Sequence, residues 1–248
     1  MKTANIVKTL LVAFYLLLWI GGVFTYTVYG APPPDKQFAG PLFLATGTAL
    51  VLMNATGLPR NVRNRIYIGA ITTGLLGYGV EVLGVHTGFP FGEYHYTEAF
   101  RPLLLRVPII MTCAWILLSL SAFAYVRPVA QTPAIRIITS ALVLTAIDLV
   151  LDPAAVDVMH LWVWHNEGSY YGIPVSNFLG WFLTALVVSS VWQFLLRNAP
   201  LPVSARWMGI NLLVFFGIIN LSGKLWLPAA LSLLIALAAI AVEKRLSF

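Results

Sequence analysis

Charge is what this chain has least of. Aspartate, glutamate, lysine and arginine make up 10% of its 248 residues, against 59% hydrophobic ones. An ordinary soluble domain carries about 25% charged residues, so a water-solvated surface around one core is excluded. The mean hydropathy of +0.85 says the same. Cysteine is nearly absent: Cys113 stands alone in an apolar run, so no disulfide forms within the chain and the thiol is read as packing. There is no Gly-rich phosphate loop, no serine nucleophile elbow and no CxxC pair, and so no signal for a nucleotide or redox cofactor. Low-complexity stretches, defensible internal repeats and soluble appendages are also missing, which leaves one membrane-embedded domain over residues 1–248.

What is present is a series of apolar runs, each near the 20 or so residues that a span requires. They cover about 9–29, 39–57, 66–85, 104–125, 135–152, 175–196, 206–222 and 226–243. In lipid the backbone must satisfy its own hydrogen bonds, which makes these runs helices. The expected fold is an all-α, polytopic transmembrane bundle of about eight helices. Seven remain open, because Gly223-Lys224 barely separates the last two runs. Pro41, Pro108, Pro174 and Pro228 fall near helix starts, where a missing N–H is harmless. The first run is longer than a signal-peptide core, and Pro32 follows Ala31 where cleavage would fall, so it reads as a retained helix.

The net charge of +6 is better explained by basic loops than by nucleic acid. With the N-terminus in the cytoplasm, the inner side holds Lys2, Lys8, Arg60, Arg63, Arg65, Arg127, Arg136, Arg197, Arg206, Lys244 and Arg245. The outer side holds Lys36, Arg101, Arg106 and Lys224. This asymmetry predicts a multi-pass protein of the cell membrane with both termini cytoplasmic.

Seven of the nine acidic residues lie between Glu81 and Glu167, and Glu81, Asp148 and Asp152 sit in or beside apolar runs. A carboxylate inside a bilayer costs roughly 2.5–3.5 kcal/mol and tends to persist where it has a function. In the expected topology the three gather near the outer surface. Gly77 and Gly84 flank Glu81 on its helix face and admit a close neighbour, either another helix or a flat ligand. The structural alternative is helix packing, with Glu81 paired to Arg101 or Arg106. Asp148 and Asp152 are at i and i+4, one helix face. Two carboxyls in low dielectric do not both ionise easily, so one is ready to donate a proton. The alternatives are a pair bound to an arginine, or half of a magnesium-diphosphate motif. Asn177 lies in the first turn of a span, between aromatics, where it could hold water or a carboxylate. His86, His95, His160 and His165 lack zinc-motif spacing, and no metal site is expected.

Clustered acids, many aromatic rings and a lipid setting suit protonation of an electron-rich alkene. Carboxylates and aromatic faces stabilise the resulting tertiary cation. The ordered set Glu81, Phe91-Gly92-x-Tyr94-x-Tyr96, Asp148-x3-Asp152-Pro153, Trp162-x-Trp164 and Gly168-x-Tyr170-Tyr171-Gly172-Ile173-Pro174-x2-Asn177-Phe178-x-Gly180-Trp181 resembles the CruF-type carotenoid 1,2-hydratases, which include the bisanhydrobacterioruberin hydratases. The similarity runs through about residues 70–185. It implies addition of water to the terminal double bond of an acyclic carotenoid of the lycopene, γ-carotene or bisanhydrobacterioruberin type, without a cofactor, alongside other enzymes of carotenoid biosynthesis. It implies Asp148 or Asp152 as proton donor, Glu81 with Asn177 as water-orienting base, and Tyr94, Tyr96, Trp164, Tyr171, Phe178 and Trp181 as substrate-binding rings. A carotenoid cyclase, a prenyltransferase and a proton-coupled transporter are the competing expectations.

Overall fold

A computed structural model describes residues 2–33 and 37–246 as a bundle of eight helices. Lys36, counted above among the outer cations, lies outside the described residues, as do the side chains of Lys2 and Arg245. The helices are α1 (Lys2–Tyr29), α2 (Ala39–Asn54), α3 (Arg60–Thr87), α4 (Met111–Val126), α5 (Pro133–Pro153), α6 (Val175–Leu196), α7 (Val203–Ser222) and α8 (Trp226–Leu246). Seven of them are long and apolar enough to cross a membrane. The break at Gly223-Lys224 is a tight hairpin between two helices that pack together, which decides for eight.

The exception in length is α4. The run expected to be helical from residue 104 begins its helix only at Met111. The preceding residues form a small ladder instead, β2 (Leu103–Leu104) with β3 (Val107–Pro108), turning through Leu105 and Arg106 at positive φ. Sixteen residues rise about 24 Å, short of the ~30 Å hydrocarbon core. α4 tolerates this because every residue from Ala114 to Val126 is buried, and it packs on α2, α3, α5, α6 and α7. Lipid-facing length matters only for a helix that meets lipid.

The helices alternate in direction, so the start of α1 and the end of α8 lie at one end of the bundle. There Lys8 Nζ donates to Asn54 Oδ1 at 2.7 Å, and Arg206 pairs with Glu243. The opposite end gathers the C-termini of α3 and α5 and the N-termini of α4 and α6. It is roofed by a two-stranded antiparallel ribbon, β1 (Tyr94–Tyr96) with β4 (Trp162–Trp164). The long connection after α3, rich in aromatic residues and glycine, thus folds back onto the bundle.

The end of α5 is irregular. Pro153 closes the helix and a single π-type turn, Ala154–Val158, follows. Proline has no N–H to give to the carbonyl four residues back. That carbonyl, on Leu149, accepts instead from Tyr170 Oη at 2.8 Å, and the carbonyl of Val150 accepts from Asn220 Nδ2 at 2.8 Å. The segment that carries both aspartates is therefore held from two sides.

Candidate active site

Glu81 lies on the buried face of α3 in register with Gly74, Gly77 and Gly84. Gly77 admits the Trp115 ring of α4 directly, since a β-carbon there would fall 2.1 Å from Trp115 Cγ. The flat neighbour anticipated for this face is a side chain of the protein. Trp115 Nε1 donates to Glu81 Oε1 at 3.1 Å, and the hydroxyls of Tyr94 and Tyr96 donate to Oε2 at 2.5 and 2.8 Å. Arg101 pairs with Glu98 and Arg106 stays exposed at the ladder turn, so Glu81 has no arginine partner among the described residues. Burial, and then the neighbouring Glu81 carboxylate, push the phenols of Tyr94 and Tyr96 well above their ordinary range, which keeps both as donors.

Asp148 and Asp152 project from the same face of α5 toward α6, where Asn177 bridges them. Its Nδ2 donates to Asp148 Oδ2 at 2.9 Å and to Asp152 Oδ2 at 2.7 Å, one amide hydrogen for each. Trp162 Nε1 donates to Asp152 Oδ1 at 2.7 Å. All three carboxyls and Asn177 are at most 4% exposed. The pair is held by an amide and an indole, and the expected arginine alternative does not apply.

The ribbon joins the two halves. Its register sets Tyr94 opposite Trp164 and Tyr96 opposite Trp162, with ring centroids 4.9 and 5.8 Å apart. Alternation along each strand turns these four rings inward and His95 and Val163 outward. Beneath them Trp115 stacks on Trp181 at 4.5 Å and 19°. The carboxyl groups and rings enclose a hollow of about 20 Å³ lined by Glu81, Asp152, Asn177, Tyr94, Tyr96, Trp164 and Trp181, with Phe91, Met111 and Trp162 completing it. A single water needs roughly 10–15 Å³ on this scale. The buried Nε1 of Trp164 faces Asp152 without closing a hydrogen bond of ordinary geometry.

Glu81, Asp148, Asp152, Asn177, Tyr94, Tyr96, Trp164 and Trp181 are thus brought together. Tyr171 and Phe178 are not in the hollow's wall. They flank Tyr170 edge-on at 4.9 and 5.6 Å. Phe178 follows Asn177 directly, so it is rotated about a quarter turn away on the helix. Trp162, Phe91 and Met111 belong to the wall, and Trp115 stands behind it, bonded to Glu81 and stacked on Trp181; none of the four was singled out as a site residue. For Trp115 the signal was indirect: a glycine one turn before a buried acid calls for a flat partner without saying which.

Three comparisons bear on this arrangement. Residues 39–239 match the family model described as carotenoid biosynthesis protein, beyond the stretch carrying the motifs above. A bisanhydrobacterioruberin hydratase from Haloarcula japonica is 29% identical over 217 residues, covering 82% of this chain and 72% of that protein. No solved structure matches the chain.

Proposed function

The chain belongs to the family of carotenoid biosynthesis proteins, and on that footing we propose that it hydrates the terminal C1,2 double bond of an acyclic carotenoid. The relative's name, a hydratase of a carotenoid, supports the class of reaction. The observation that carries the reading is the hollow itself. It has room for about one water, with Glu81, Asp152, Asn177 and Trp164 in its wall.

The aspartate pair delivers a proton to C2 of the end group. Positive charge develops at C1, which is tertiary, between aromatic faces that include Trp181 and Trp164. Water in the hollow attacks C1, and Glu81, held as an acceptor by its three donors, takes the proton that water releases. Return of that proton to the aspartate pair restores the starting state, so the net change is addition of one water and no cofactor is consumed. The basic residues crowd the end of the bundle opposite the acids, which supports cytoplasmic termini and a site near the outer face of the cell membrane.

Expression in a lycopene-accumulating host tests the reading. A product heavier by one water supports it; an isomer of lycopene would instead mark a cyclase. Asp152→Asn and Glu81→Gln are each expected to lower hydration by about 100-fold or more, the range of general acid–base contributions, while the protein purifies as a folded monodisperse species. Full activity in either variant removes that residue from the mechanism.

A further inference from the structure

The hollow at the acids is the innermost of three spaces that share walls. A second cavity of about 50 Å³ shares Met111, Trp162 and Trp181 with it. A third, of about 240 Å³, lies between α1, α2 and α7 and shares Leu44, Phe100, Leu161 and Phe216 with the second. The linings change along this line from carboxyl groups to a wholly apolar middle space and a mostly apolar outer one, where Thr25 and Tyr26 are the polar side chains. The outermost space opens beside α1, where Leu17 is 66% exposed and a β-carbon on Gly21 would meet nothing within 4 Å. α1 is also the most loosely held span, with 6% of its apolar window buried.

From these shared walls we infer that the three spaces form one lipid-side channel that takes an acyclic polyene end first, through the face between α1 and α2, and seats its terminal isopropylidene at the acids. The inference rests on the hydratase reading for its ligand. The geometry argues for a linear, unsubstituted chain. The middle space is small and wholly apolar, so a hydroxyl or a ring on the entering end would be stripped of water or blocked there. The remainder of a long chain stays in the outer space and in the bilayer beyond, which leaves the far end of the substrate unread by the protein. Leu44 is in the wall of both the outer and the middle space. It stands on α2 one turn from Gly40, whose β-carbon position is 3.7 Å from the Phe100 ring.

The test uses the full-length protein purified in detergent from lycopene-producing cells. Leu44→Trp narrows the passage. Gly21→Leu fills the mouth at a position with open space, so it keeps the proposal testable should the tryptophan disturb folding. Leu75→Trp, on the lipid face of α3 and 64% exposed, is the control. Lycopene bound per protein is read from its visible absorption after size-exclusion, and hydration is read by mass on the same samples. We expect both channel variants to retain less than a tenth of the wild-type lycopene and the control to retain all of it. Equal retention in wild type, Gly21→Leu and Leu75→Trp, or no retention by the wild type, overturns the channel whether or not water is added. Retention that the channel variants abolish, without hydration by the wild type, keeps the channel and removes the hydratase reading.

Discussion

At Glu81 every hydrogen-bond partner is a donor, and two of the three are phenols that burial keeps protonated. This makes a pH signature. The folded phenols hold their protons above the ordinary value of 10.0, whereas the unfolded chain releases them near that value. Above about pH 10 the folded state binds more protons than the unfolded one, so stability is present below that pH and is lost as pH rises. Thermal melts in detergent should fall from about pH 10 upward, and the double variant Tyr94→Phe/Tyr96→Phe should flatten that fall. The same variant should reduce hydration, because Glu81 then loses two of its three partners. An unchanged slope would mean that the two hydroxyls are not held as described. Glu81, the i,i+4 aspartates and Asn177 were legible in the sequence because a polar side chain in an apolar run has few structural reasons to be there. Trp115 was not legible: a tryptophan in an apolar run is indistinguishable from ordinary packing until its indole is seen to reach a carboxylate.

The helix α5 depends on residues far from it in sequence. Pro153 frees the Leu149 carbonyl, and Tyr170 restores its partner. Tyr170→Phe should therefore cost about 1–3 kcal/mol, the penalty for an unsatisfied buried group, and should lower hydration through a displaced Asp152. Tyr171→Phe, which removes no such bond, serves as the comparison in a melt and activity assay; equal effects of the two would dismiss the brace. Helix boundaries followed hydropathy except at α4, where an apolar run of adequate length is partly ladder. Hydropathy reports composition and not conformation: within 101–110 the tight turn at Leu105 and Arg106 breaks the helix, and only Val107 and Pro108 are buried while Leu104, Leu105 and Ile109 stay exposed. Nor does neighbourhood in sequence imply a shared face, which is why Phe178 belongs with Tyr170 and Asn177 with the acids.

For the molecule as a whole, the basic residues at one end and the acids at the other fix an expected orientation. A fluorescent protein that matures only in the cytoplasm, fused after residue 248, should fluoresce. A cysteine placed at the exposed Glu167 in a Cys113→Ser background should react with a membrane-impermeant maleimide added to intact cells. The reverse pattern would turn the site to face the cytoplasm. Fold class was readable because lipid permits so few backbone solutions. The joining of the two half-sites was not, because it depends on the register of a ribbon three residues long on each strand, and a slip of one residue in either strand would turn that strand's two rings outward.

The acids sit at helix ends, under a ribbon, rather than at mid-span. In the proposed hydration, one reactant is soluble only in oil and the other only in water. A catalyst for such partners has to stand where the two phases touch, and a pocket placed there lets each arrive from its own side without either crossing the medium that rejects it.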